Sequence, residues 1–240
     1  MKAIILNSGI GSRMGDLTEN SPKCLLSLKN DETIVSRQVQ YLMEKGVKDI
    51  IITTGRFHEE IKQYLESKFK DVKFHFVNND QYASTNYIYS MYLLKNTINE
   101  NITDGILLLH GDLVFDREIV SKIIDSKEKN MVIVSTSESL PLKDFKGYIE
   151  NGYVRNISID MFTDCKFLLP LYKLDHTLFS KWMEQIEMFI QRGETKVYAE
   201  DALNEVLAGT EELAPCYFSD GLCQEIDTFE DYTDVLNRLD

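Results

Sequence analysis

The chain has 240 residues, 43% of them hydrophobic, and a formal net charge of −13. That is apolar material for one sizeable core, and a single domain over residues 1–240 is the expected organisation. The charge argues against a non-specific nucleic-acid binder, which needs a basic surface, and no apolar run approaches the roughly 20 residues needed to cross a membrane.

The chain opens with "KAIIL", which reads as a strand. The apolar stretch in "MKAIIL" is too short for a signal peptide, so a cytoplasmic protein is expected. "ETIVSRQVQYLMEKG" places apolar residues at helical spacing and stops at Gly46. "VKDIIITTG" predicts a buried strand, "HEEIKQYLESKF" an amphipathic helix and "VKFHFVNN" an alternating strand. "STNYIYSMYLLKNTI" predicts a helix capped by Ser84 or Thr85. Then come a strand "GILLLHGD" ending in an acid, a helix "REIVSKIIDSK" and a strand "NMVIVSTS". Strands and helices alternating this often predict an α/β fold: a mostly parallel central sheet with helices on both faces.

The pattern changes near residue 140. "KGYIENGYVRNISI" reads as two strands about an Asn-Gly turn, and "KFLLPLYKL" as another strand. "HTLFSKWMEQIEMFIQRG" is a long helix whose Trp182 is expected in the core, and "AEDALNEVLAG" a short helix. "LAPCYF" and "CQEID" read as strands and "TFEDYTDVLNRL" as a closing helix. The second half thus adds strands and helices to the parallel half.

Residues 6–26, "LNSGIGSRMGDLTENSPKCLL", put three glycines, Arg13 and Lys23 directly after the first strand. A Gly-rich turn there presents backbone N–H groups to phosphate. The P-loop pattern fails because Lys23 does not follow a glycine, and the dinucleotide fingerprint fails because Met14 stands at its third glycine. What remains is a long loop that returns a lysine behind Pro22; composition alone also allows a plain surface loop. Cysteines 24, 165, 216 and 223 form no C-x-x-C pair and histidines 58, 75, 110 and 176 are scattered, so reduced thiols are expected rather than a zinc site.

"GIGSRMGDLTENSPKCLL" resembles the G-x-G-[ST]-R-x(n)-P-K signature of the nucleotidyltransferases that make sugar nucleotides and CDP-alcohols. Within that superfamily the chain looks most like the small CTP-dependent cytidylyltransferases that activate phosphocholine or 2-aminoethylphosphonate. "YASTNYIYSMYLL", "LLHGDLVF", "YAEDALNEVL" and "EIDTFEDY" resemble successive segments of those enzymes, so the likeness covers nearly the whole chain. The resemblance implies a Rossmann-like nucleotidyltransferase fold and attack by a phosphate or phosphonate oxygen on the α-phosphorus of CTP, with loss of pyrophosphate.

It also implies the site. Asn7, Ser8, Gly9, Gly11, Ser12, Arg13 and Lys23 would hold the nucleotide, with Arg13 on the β/γ-phosphates and Lys23 near the α-phosphate. Asp112 and Asp227 would hold Mg²⁺, and Glu225 would stand behind them. Gln81, Ser84 and Asn86 could meet the cytosine edge, though each is equally a cap or turn residue. For the acceptor, Lys146, Tyr198, Glu200 and Asp201 are the candidates. Acids suit a primary ammonium and favour 2-aminoethylphosphonate; an aromatic cage of Tyr198 and Phe145 would suit phosphocholine, and phosphoethanolamine is a further acceptor to consider. The rival readings are a sugar-1-phosphate nucleotidyltransferase, whose glutamate-lysine-proline segment is absent here, and a catalytically inactive nucleotide-binding regulator. The oligomeric state is not read from the sequence.

Overall fold

The structure, a computed structural model, describes residues 1–98, 105–137 and 139–239. Four parallel strands form its middle: β1 (Lys2–Leu6), β2 (Asp49–Thr54), β3 (Lys73–Asn78) and β4 (Ile106–His110) lie in the order β3-β2-β1-β4. Helices α1 (Ile34–Glu44), α2 (His58–Lys68) and α3 (Tyr87–Leu93) connect them. After β4 come β5 (Leu113–Phe115), α4 (Arg117–Asp125), β6 (Met131–Ser135), β7 (Lys146–Glu150), β8 (Tyr153–Ser158) and β9 (Cys165–Leu174). Helices α5 (His176–Gln191) and α6 (Ala199–Leu207), strands β10 (Ala214–Phe218) and β11 (Cys223–Glu225), and helix α7 (Phe229–Arg238) complete the fold.

The alternation of β1 explains the layering. Ile4 and Leu6 face one core with α3, α5 and α6, through Ile88, Met91, Leu178, Trp182 and Leu203. Ala3 and Ile5 face the other with α1, α2 and α4, through Val39, Leu42, Ile61, Leu65, Ile119 and Ile123. Side chains in a strand alternate faces, so a strand apolar at every position is covered on both. Burying one such Leu or Ile contributes about 1.5–3 kcal/mol. Trp182 is in the core as expected, its indole N–H donating to Ala199 O at 2.7 Å.

The second half joins the same nine-stranded sheet by a route the residue pattern did not show. β9 is antiparallel to both β4 and β6 and lies between them, while β10 runs parallel to β6 at the edge. The pairing of β9 to β6 shifts register between Val132 and Ile133, opposite the stretch holding Pro170, where a residue without an N–H is tolerated. The Asn-Gly hairpin forms as predicted, with Asn151 at φ 52° and Gly152 at φ 85°. One local expectation is corrected and one element is added. Helix α3 begins at Tyr87, and its cap is Asn86, whose side chain accepts from Tyr87 N at 2.8 Å, not Ser84 or Thr85. The segment "LVF" after Asp112, not assigned from the residue pattern, is β5, which forms a short antiparallel ladder with β11. No helix among the described residues is long and apolar enough to cross a membrane.

Candidate functional site

The C-terminal ends of β1, β3 and β4 open onto a cleft of about 390 Å³, where open α/β sheets place their ligands. One wall is the loop from Asn7 to Arg13, and Lys23 and Asp227 close the floor with Asp112. The loop is anchored where it leaves β1. Asn7 N–H donates to Thr53 Oγ1 at 2.9 Å and its amide to Cys24 Sγ at 3.0 Å, while buried Ser8 shares a 2.6 Å hydrogen bond with Ser90. Gly9 and Ser12 beyond these anchors are exposed. Gly11 holds φ +70°, a conformation only glycine takes cheaply, and turns the chain into the 3-10 segment Ser12–Thr18. Gly111 is required by contact instead: a Cβ there would stand 2.5 Å from Asn7 Oδ1.

The charged centre is built by the ladder between β5 and β11. Leu113 pairs with Glu225, and Ile226 N–H donates to Asp112 O at 3.0 Å, so Asp112 and Asp227 meet across the ladder's end. Lys23 Nζ lies between them, 2.6 Å from Asp112 Oδ2 and 2.9 Å from Asp227 Oδ1. Arg13 reaches the other oxygen of Asp227 at 2.9 Å. Burial pulls the Lys23 ammonium down, but Asp112 and Asp227 outweigh it and hold its pKa above the ordinary value. Burial likewise raises the Asp112 carboxyl, and Lys23 and His110 more than reverse this. The neighbouring thiol of Cys24 is pushed up to about 12 by burial. One oxygen of Asp112, Oδ1, is buried without a hydrogen-bond partner.

Side chains beyond those anticipated complete the cleft. His110, two residues before Asp112, donates or accepts through Nδ1 at 3.0 Å from Glu225 Oε1, and its ring meets Tyr87 edge-on at 4.8 Å. Burial lowers the imidazole, but Glu225 outweighs it and holds His110 at about 9; burial raises the Glu225 carboxyl to about 7 against the pull of His110. A ring nitrogen of His110 and carboxylate oxygens of Asp112 and Glu225 lie within 4.8 Å of one another, which places Glu225 beside the charged centre. The strand period of two was the available signal for His110, since it puts residues 110 and 112 on one side. Asn79, Tyr82, Thr85 and Tyr87 also line the cleft.

The other candidates divide. Asn86 lines the cleft while capping α3. Gln81 and Ser84 are not among the lining residues: Gln81 donates to Tyr89 OH at 2.9 Å, and the Ser84 hydroxyl donates to Gln81 O at 3.2 Å within the turn. Lys146 is fully buried, and its ammonium donates to the carbonyls of Asp144 at 2.8 Å and Ile159 at 2.5 Å and lies 4.3 Å above the Phe162 ring. Glu200 is buried, accepting hydrogen bonds from Tyr87 OH and, at 2.9 Å, Tyr172 OH; burial raises its carboxyl. Asp201 accepts from Tyr198 N at 3.1 Å and is exposed. Tyr198 is half-buried beside the cleft and meets Phe145 edge-on at 5.2 Å and Tyr87 at 6.0 Å. All four cysteines are free thiols.

The family model described as Nucleotidyl transferase matches residues 2–163. A choline-phosphate cytidylyltransferase of Streptococcus pneumoniae is 29% identical over 195 residues, which is 68% of this chain and 82% of that one. A CTP:phosphoglutamine cytidylyltransferase of Campylobacter jejuni is 31% identical over 165 residues, 64% of each chain. The solved structure of the CTP:phosphocholine cytidylyltransferase from Streptococcus pneumoniae shares the fold, with a TM-score of 0.79 at 24% identity over 98% of this chain and 97% of that one.

Proposed function

The chain belongs to the nucleotidyl transferase family, and we propose that it is a cytidylyltransferase. It transfers CMP from CTP to an oxygen of a small amine-bearing phosphonate or phosphate. The favoured acceptor is 2-aminoethylphosphonate and the next is phosphocholine. The observation that carries this reading is Lys23 held between Asp112 and Asp227 beneath an exposed glycine loop, in one cleft. The names of the relatives, which activate small phosphorylated molecules with CTP, support the choice of nucleotide.

The acceptor oxygen forms a bond to the α-phosphorus as the bond from that phosphorus to the bridging oxygen of pyrophosphate breaks. No covalent enzyme intermediate is needed, so alignment and charge carry the rate. The triphosphate competes with Asp227 for Arg13, whose planar fork suits two phosphate oxygens. Lys23 acts as a point charge where negative charge builds. Asp112 and Asp227 would hold Mg²⁺, which prefers carboxylate oxygen; the unpartnered Oδ1 of Asp112 fits that use. When bound, the ion supplies positive charge across the phosphates.

The preference for a primary amine rests on acids and on the burial of an aromatic. Asp144 feels the charges of Asp227 and Arg13, Tyr198 that of Asp160, and Asp201 is exposed at the start of α6. Phe145 is only 5% exposed, which removes one wall from a trimethylammonium cage. The test is a matrix of CTP, UTP and dTTP against 2-aminoethylphosphonate, phosphocholine and glucose 1-phosphate, read by pyrophosphate release. CTP with 2-aminoethylphosphonate should give the highest kcat/KM, and Asp201→Asn should narrow its lead over phosphocholine. A parent that prefers phosphocholine overturns the acceptor order. Turnover with UTP or dTTP and the sugar phosphate makes it a sugar nucleotidyltransferase, and CTP binding without turnover on any acceptor makes it a regulator.

A further inference from the structure

The ring of His110 has one nitrogen engaged and one without a partner. Nδ1 is 3.0 Å from Glu225 Oε1, which fixes the ring's orientation. Nε2 is buried and has no hydrogen-bond partner. A buried ring nitrogen without a partner costs about 1–3 kcal/mol, so its persistence wants an explanation. The residue lines the nucleotide cleft. The packing of its ring against Tyr87, and of Tyr87 against Tyr198, leads from His110 towards the second half of the chain rather than towards the glycine loop.

Two constraints choose the ligand atom. His110 is on the same strand end as Asp112, and a nitrogen of its ring lies within 4.8 Å of an Asp112 carboxylate oxygen. On the reading of Asp112 as a ligand of the ion that holds the phosphates, whatever meets the ring lies at the reacting end of the cleft, where the acceptor's head and not its amine tail belongs. The surroundings are also rich in acids: Glu225 on the ring itself, Asp112 beside it and Glu200 behind Tyr87. An anionic head brought among them needs a donor of its own.

We infer that His110 is a substrate-contacting residue, whose Nε2–H donates to a non-bridging oxygen of the acceptor's phosphate or phosphonate while the hydrogen bond between Nδ1 and Glu225 positions the ring. The inference rests on the nucleotidyltransferase reading of the cleft. It does not depend on which acceptor is used, because a sugar phosphate carries the same head group.

The side-chain amides separate the two ring nitrogens. An Asn nitrogen falls near the place of Nδ1, a Gln nitrogen near that of Nε2. With 2-aminoethylphosphonate as the varied substrate, His110→Asn should raise the acceptor KM by about tenfold, the worth of one charge-assisted hydrogen bond, and leave the KM for CTP and the Mg²⁺ requirement unchanged. His110→Gln should stay within about threefold of the parent. Glu225→Gln, which keeps an oxygen for the ring, should give an intermediate rise in the same parameter. Thermal unfolding of each variant reports whether it is folded. If the Asn variant is unfolded, His110→Ala takes its place: calorimetric binding of 2-aminoethylphosphonate should weaken about tenfold in His110→Ala and stay within about threefold of the parent in His110→Gln, and equal binding by the two variants overturns the inference. The inference is overturned if folded Asn and Gln variants show the same acceptor KM, or if either moves the Mg²⁺ or CTP requirement instead, which would make His110 a metal or nucleotide ligand. A parent that uses glucose 1-phosphate and not 2-aminoethylphosphonate overturns the acceptor reading alone, and the same variants are then measured with glucose 1-phosphate.

Discussion

Arg13 and Lys146 are both cations that residue order alone offers to a ligand, and the fold treats them oppositely. The Arg13 side chain is 50% exposed and touches a single carboxylate, Asp227. Lys146 is completely buried, with its ammonium on two carbonyls within 2.8 Å and an aromatic face above it. The acids repeat the contrast. Asp227 and Asp112 are held by cations that a phosphate can draw away, whereas Glu200 is satisfied by two tyrosine hydroxyls. The half-exposed Arg13–Asp227 pair is of the exposed kind, worth about 0–1 kcal/mol and quick to exchange partners. A buried ammonium stripped of its carbonyls costs several times more. The side that begins with the first strand therefore keeps charge available for a ligand. The side built from β7, β8 and α6 uses its charge to hold two loops together.

The largest expected effect tests the available side. Asp112→Asn or Asp227→Asn retains the shape and removes a charge, and each should lower turnover at least a hundredfold, on the order of ~3 kcal/mol. Pyrophosphate release at saturating CTP and Mg²⁺ measures it. Near-normal turnover in both variants would remove the aspartates from the chemistry.

Next, Lys23→Ala should reduce kcat more than it raises the KM for CTP, by an amount on the order of tenfold or more. Arg13→Ala should raise the KM for CTP as well if, as proposed, its half-exposed guanidinium holds the triphosphate. Steady-state kinetics at varied CTP separates the two; a Lys23 variant altered only in its CTP requirement contradicts the assignment.

The buried side predicts a different signature. Lys146→Met should destabilise the fold by about 1–3 kcal/mol, because the carbonyls of Asp144 and Ile159 lose their donor. The unfolding midpoint in urea should fall, and the acceptor KM should change to the same extent for phosphocholine as for 2-aminoethylphosphonate. If the variant instead keeps its stability and loses only phosphonate affinity, Lys146 is a ligand after all and the contrast breaks.

The smallest effect concerns the thiols. Cys24 is fully buried, with its pKa pushed up to about 12, so at pH 8 it is protonated and shielded. Cys165 is only partly covered. Mass spectrometry after brief alkylation should find Cys165 modified first and Cys24 last, and early labelling of Cys24 would mean that the loop behind Lys23 opens.

Much of this molecule was legible from residue order. The period-two and period-3.6 patterns located most of the strands and helices, and the Asn-Gly turn formed as read. Neighbouring residues along the chain also marked the glycine loop and two acids at strand ends, because those signals are local. The tertiary structure decided three things. It inserted β9 antiparallel between β4 and β6, a placement set by which edges are open rather than by the strand's own residues. It paired β5 with β11, three residues each and too short to announce themselves, and so brought Asp112 to Asp227 across 115 positions of chain. It also decided which charges stay free. Lys146 and Lys23 are the same residue type on paper; one points at carbonyls and the other at carboxylates, and only packing assigns those neighbours.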